Sequence, residues 1–146
     1  MNKTIGLLIA VCLLMSFEAC AQNSKQNSET KKAEYHKISA EEAKKMLDEN
    51  TNAILLDVRT EAEYTQSHIV GAISFPLSEI EAQVADRLPD KDALILVYCR
   101  SGKRSQAAAN MLVSMEYTNV YDFGGINSWP YATESDKISY LCKSKK

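Results

Sequence analysis

The chain has 146 residues, room for one domain with a proper core. Hydrophobic residues make up 45% and charged residues 25%, the balance of an ordinary soluble globular protein. A net charge of −2 excludes broad nucleic-acid binding, because there is no domain-wide basic excess.

Met1 to Ala21 reads as an export signal. Lys3 supplies the positive start, Ile5 to Met15 is an uninterrupted apolar stretch too short to span a membrane comfortably, and small residues follow. Two processing routes compete. Ala19-Cys20-Ala21 fits a small-x-small cleavage site before Gln22. Phe17-Glu18-Ala19-Cys20 resembles a bacterial lipoprotein box, which would place a lipid anchor on Cys20. Residues 22–34 are polar, rich in Gln, Asn, Ser and Lys, and read as a linker that cannot bury enough surface to order itself.

The folded domain is expected over residues 35–135, followed by a C-terminal tail over 136–146. His36 to Ile38 reads as a first short strand. Ser39 with Glu42 makes a capping box, and Ala43, Met46 and Leu47 continue as a helical stripe. Ala53 to Val58 is a continuous apolar run and reads as a buried strand. Thr60 with Glu63 forms a second capping box, opening a short helix that ends near Ser67. Ala72 to Phe75 is a third strand, stopped by Pro76. Ser78 to Leu88 is helical, with Ile80 and Val84 on one face, and Pro89 ends it. Ala93 to Tyr98 is another buried strand, and the alanine-rich stretch from Ser105 to Met115 is a helix. Val120 to Phe123 is the fifth strand, which Gly124-Gly125 turns into a last short helix near Trp129. Strands alternating with helices predict an α/β domain with a parallel sheet. In such sheets the site lies beyond the carboxyl ends of the strands. Cys99 follows one such end, and Asp57 and Arg59 sit at another.

The chemistry concentrates in Cys99-Arg100-Ser101-Gly102-Lys103-Arg104-Ser105. A thiol at a strand end, facing a helix N-terminus, is placed to become a thiolate. Loop amides point inward and the helix dipole adds positive potential. The clustered cations suit a small anion better than a polyanion. An unperturbed thiol with a pKa of about 8.5 is only about 3% ionised at neutral pH. Lowering that pKa by about two units takes roughly 2.7 kcal/mol, whereas a helix terminus gives at most about 2 kcal/mol. The loop amides, Arg100, Lys103 and Arg104 are expected to supply the rest. Gly102 lets the backbone turn inward without a Cβ clash. Ser105 sits where its hydroxyl can cap the helix or donate to the sulfur.

Four segments together resemble a single-domain rhodanese: Leu56-Asp57-Val58-Arg59, His68-Ile69-Val70-Gly71-Ala72, Cys99 to Ser105, and Phe123-Gly124-Gly125-Ile126. They occur in that family's order, and the resemblance covers Tyr35 to Tyr131. It implies a three-layer rhodanese-like domain, with a five-stranded parallel sheet between helices. It also implies sulfur transfer through a Cys99 persulfide, from thiosulfate or a small persulfide to cyanide, a thiol or a protein acceptor. Cys99 is then the nucleophile, and Arg100, Ser101, Gly102, Lys103, Arg104 and Ser105 bind the donor. Asp57 and Arg59 support the loop. Ser67 and Val70 stand where the family often has glycine and proline, in a turn expected to lie away from the site.

His68 reads as a packing or hydrogen-bonding residue, and Trp129 as core or pocket wall. Cys142 is either a resolving thiol for Cys99 or a tail cysteine without a role. The four cysteines, Cys12, Cys20, Cys99 and Cys142, lack paired metal-ligand spacing, and only His36 and His68 add imidazoles. No metal, cofactor or nucleic acid is expected, and the protein is expected to be a monomer in the bacterial periplasm or anchored to the envelope. Two other readings compete. One is an exported sulfur-carrier or redox-binding module serving a single partner. The other is a cysteine-dependent phosphatase or arsenate reductase, since those enzymes also use a cysteine–arginine anion loop.

Overall fold

The computed structural model describes residues 34–135. The export signal over 1–21, the linker up to residue 33, and the tail over 136–146 with Cys142 lie outside the described residues.

Within them the chain runs β1 (His36–Lys37), α1 (Ala40–Glu49), β2 (Ile54–Asp57), α2 (Glu61–Gln66), β3 (His68–Ile69), β4 (Ile73–Ser74), α3 (Leu77–Arg87), β5 (Ile95–Cys99), α4 (Lys103–Ser114), β6 (Val120–Gly125), a 3₁₀ turn (Ile126–Ser128) and β7 (Thr133–Glu134). Five strands form one parallel sheet in the order β1-β6-β5-β2-β4. The expected α/β sheet and its five strands are therefore present. Both capping boxes close: Ser39 and Glu42 at α1, Thr60 and Glu63 at α2. Each satisfies two helix-end donors reciprocally, and losing such a cap costs about 1 kcal/mol.

Alternation along the strands sorts the core into two layers of side chains. Leu56, Ile95, Val97 and Cys99 face one side, where α3 and α4 cover them with Ile80, Val84, Ala108, Ala109 and Leu112. Leu55, Leu96 and Tyr98 face the other, against Ala40 and Ala43 of α1 and Phe123 and Trp129. With α1 on one face of the sheet and α3 and α4 on the other, the domain has three layers. The Cys99 side chain thereby lies on the α4 side, under that helix's first turn.

Two expectations need correction, and one feature was not expected. The last helix near Trp129 is a single 3₁₀ turn, too short to bury a face of its own. The helix after the loop begins at Lys103, not Ser105, so Lys103 and Arg104 belong to its first turn. The alanine-rich stretch that marks this helix in the sequence begins after the two cations, so the pattern places the boundary late. An unforeseen antiparallel ribbon pairs β3 with β7, His68 opposite Glu134. His68 is buried, as expected of a packing residue. Its Nδ1 lies 2.9 Å from the Tyr64 carbonyl, its ring stacks on that of Tyr64, and its Nε2 lies 3.4 Å from Glu134.

Candidate active site

Cys99 is the last residue of β5 and is 1% exposed. Gly102 occupies the N-cap position of α4 at φ +103°, a left-handed conformation natural to glycine, and caps nothing with a side chain. The sulfur fills that role. The Gly102 N–H donates to Sγ at 3.1 Å, so the thiol takes the place that a serine or aspartate oxygen takes at other helix starts. Burial pushes the Cys99 pKa up, but the N–H groups of Ser105, Gly102 and Ser101 and the Ser105 hydroxyl outweigh it, and the net shift is downward. The lowering comes first from backbone N–H groups, a different emphasis from the one the loop's cations suggest.

The loop is braced from β6. Ladder pairing of β5 with β6 slips between Val97 and Cys99, so Val97 faces Asp122 and Cys99 faces Gly125. The extra residue bulges β6 toward the loop. A Cβ on Gly125 would stand 2.3 Å from the Arg100 carbonyl oxygen, so only glycine fits there. The Asp122 carboxylate accepts the Gly124 N–H at 2.9 Å, and the Asn127 N–H donates to the Arg100 carbonyl at 3.3 Å. Ser105 is not the helix cap. Its Oγ lies 3.0 Å from the Gly102 carbonyl and 3.1 Å from that of Gly124, tying the first turn of α4 to the bulge.

Asp57 and Arg59 form a second buried unit. Arg59 donates from its backbone N–H (3.0 Å), from Nε (2.9 Å) and from Nη2 (2.5 Å) to the Asp57 carboxylate. Its Nη2 also donates to the Ser67 carbonyl at 2.6 Å. The Tyr98 hydroxyl hydrogen-bonds to Asp57 and accepts the Ile69 N–H at 3.1 Å; burial and that carboxylate push its pKa far up, so it stays protonated. Asp57 and Arg59, expected as supporting residues, hold each other and the Ser67 carbonyl. The turn at Ser67 does touch the site, because it anchors Arg59.

A cleft of about 300 Å³ opens here, lined by Arg59, Glu63, Gln66, Ser67, Arg100, Ile126 and Asn127. Arg100 and Lys103 are both exposed, and only Arg100 lines the cleft. Arg104 is held from outside: Nη1 and Nη2 donate to the Glu63 carboxylate at 2.7 and 2.9 Å. That pair brings the Glu63 pKa down to about 2, with Arg104 as the main cause. Sequence reasoning gave Glu63 only its capping role, since its partner lies 41 residues away. It likewise missed Tyr98, Asp122 and Asn127, whose contacts to the site are set by the fold. A larger cavity, about 420 Å³, lies between α1 and the Trp129–Ala132 stretch and includes none of the expected site residues. Trp129 does line a pocket wall, but of this cavity. Among the described residues no group of three or more His, Cys, Asp and Glu side chains is placed to hold a metal ion.

This geometry matches known proteins. The sequence profile of the rhodanese-like domain matches residues 39–132. Thiosulfate sulfurtransferase PspE of Escherichia coli is 41% identical over 71 residues, covering 49% of this chain and 68% of that protein. A sulfurtransferase of Allochromatium vinosum is 33% identical over 95 residues, covering 64% of this chain and 87% of that one. Some relatives are much longer, and this chain spans as little as 22% of them. Among solved structures, an E. coli rhodanese with anions superposes with a TM-score of 0.54 at 35% identity, covering 57% of this chain and 98% of that one. The chain therefore belongs to the rhodanese-like family, as a rhodanese-type sulfurtransferase.

Proposed function

We propose that the protein takes sulfane sulfur from a small anionic donor, thiosulfate or a persulfide, and passes it to a thiol, protein or other thiophilic acceptor through a Cys99 persulfide. The carrying observation is the Cys99 sulfur accepting the Gly102 N–H at the start of α4, next in the chain to Arg100, which lines the cleft. The thiolate attacks the sulfane sulfur of thiosulfate and a new S–S bond forms. The S–S bond of the donor breaks, and sulfite leaves with its electron pair. Cyanide or a thiolate then attacks the terminal sulfur, and Cys99 departs as the thiolate. No proton needs to be supplied to the leaving group, because sulfite is already a stable anion. The amides that lower the thiol pKa also suit the terminal sulfur of a persulfide anion, and Arg100 and Arg59 line the cleft through which an anionic donor would approach.

The phosphatase reading is weaker. Four residues separate Cys99 from Arg104, one fewer than in the cysteine-dependent phosphatases. The resulting cradle suits a single sulfur atom better than a tetrahedral phosphoryl group. Asp57, the carboxylate nearest to a general acid in that reading, is fully buried and already bound by Arg59 and Tyr98.

The test is to assay thiosulfate-to-cyanide transfer and aryl-phosphate hydrolysis with the wild type and with Cys99→Ser. Thiocyanate formation is expected from the wild type alone, with no significant phosphate release from either. Cys99-dependent phosphate release without thiocyanate contradicts the proposal. A single transfer per molecule without turnover favours the carrier reading.

The proposal also places the domain outside the cytoplasm, as a monomer. The first 21 residues serve as an export signal, and Cys20 is either lipidated or lost on cleavage. Envelope fractionation of wild type and Cys20→Ala separates the routes. A membrane-to-soluble shift indicates the anchor, an unchanged soluble exported protein indicates plain cleavage, and an intact Met1 on the mature protein contradicts export.

A further inference from the structure

Among the described residues Glu63 is the one carboxylate lining the cleft, and it faces cations on two sides. It grips Arg104 with both oxygens, and its charge is also felt at Arg59. Its side chain and that of Arg104 are 30% and 34% exposed, so the pair is open to an anion in solution. Asp57 likewise engages the Arg59 guanidinium. Arg100 is the other cation lining the cleft beside Arg59, and no ion pair to it occurs among the described residues.

We propose that Glu63 is a specificity-determining residue whose carboxylate, lining the cleft and clasping Arg104, selects donors by charge and disfavours dianions relative to monoanions. This rests on the sulfur-transfer reading and deepens it toward the donor. The physical basis is that the Coulomb energy of a ligand near a fixed charge is proportional to the ligand's own charge. A dianion therefore loses twice the free energy that a monoanion loses, and the penalty in binding is squared. Glu63 also withholds Arg104, since a donor oxygen must compete with two charge-assisted hydrogen bonds for that guanidinium. The site is thereby biased toward monoanionic donors such as ionised persulfides.

Glu63→Gln removes the charge cleanly. A capping box accepts glutamine as well as glutamate, so the start of α2 keeps its cap, and one side-chain oxygen remains to hold Arg104. The experiment compares kcat/KM for thiosulfate, a dianion, and methanethiosulfonate, a monoanion, with cyanide as acceptor, using the full chain and its Glu63→Gln variant. If the monoanion gains about threefold, the dianion is expected to gain about tenfold. The difference should appear mainly in KM and should shrink at high salt. An equal change for both donors, or an equal loss, overturns the proposal and leaves Glu63 as a brace for Arg104. Absence of Cys99-dependent thiocyanate from either donor in the wild type contradicts the sulfur-transfer reading instead, so the two failures are distinguishable.

Discussion

Two sets of groups surround the Cys99 sulfur, and they are built differently. The inner set is backbone: the amides of Ser101, Gly102 and Ser105, fixed by the start of α4 and by the bulge of β6. The outer set is side-chain charge: Arg59 with Asp57, Arg104 with Glu63, and the exposed Arg100 and Lys103. The inner set is close to the sulfur and tied to the strand–helix junction. The outer set is largely neutralised pair by pair and partly wet. Buried dipoles act through a low effective dielectric, whereas exposed charges are screened. The ionisation of Cys99 therefore belongs to the fold, and the choice of donor to the mouth.

Disturbing the inner set should have the largest effect. Gly125→Ala drives a methyl group into the Arg100 carbonyl, which stands 2.3 Å from the site of its Cβ. The loop must shift, and sulfur transfer should fall by about a hundredfold, the scale of an ångström misplacement at a reacting centre. Stability should drop by only about 1–3 kcal/mol, the usual cost of overpacking. Steady-state kinetics beside a denaturant titration checks this. Near-normal activity would mean that the bulge does not position the loop.

The buried half of the outer set comes next, and its effect should fall on stability. Asp57→Ala strands the Arg59 guanidinium in a dry site and frees the Tyr98 hydroxyl. A loss of about 3–5 kcal/mol is expected, as for a buried pair broken on one side. A shift of the urea midpoint measures it, and a change under about 1 kcal/mol would show that water reaches the pair.

The half-exposed pair should matter least to stability. The folded pKa of Glu63 is about 2, below that of an unfolded glutamate. Its contribution is fully present above the unfolded pKa of about 4.3 and is lost as pH falls toward 2. After allowance for solvent screening it should be no more than about 1 kcal/mol. Stability curves of wild type and Glu63→Gln should therefore differ slightly at neutral pH and converge in acid. A gap that widens in acid would contradict the pairing.

The sheet and most of its helices were legible because each leaves a local pattern. The apolar runs at Ala53 and Ala93, the two capping boxes and Pro76 and Pro89 act within a few residues of themselves. The loop was legible for the same reason: cysteine, glycine and cations stand side by side. Contacts that join distant segments were not. β3 and β7 are two residues each and gain their pairing only when Glu134 meets His68. Glu63 looks like a cap until the fold brings Arg104 to it. Ser105 looks like a cap until α4 is seen to start at Lys103. The primacy of backbone amides over arginines was hidden because amides carry no letter in a sequence.

The central claim, that loop amides rather than side-chain cations make the Cys99 thiolate, is tested most directly by its titration at two ionic strengths. The rate of Cys99 alkylation against pH, in low salt and in about 1 M salt where the Debye length is about 3 Å, reports the thiolate fraction. A midpoint below the ordinary thiol value of about 8.5 in both conditions, moving little between them, is the predicted result. A midpoint that climbs back toward that value in high salt would contradict the account and assign the thiolate to Arg100, Lys103 and Arg104.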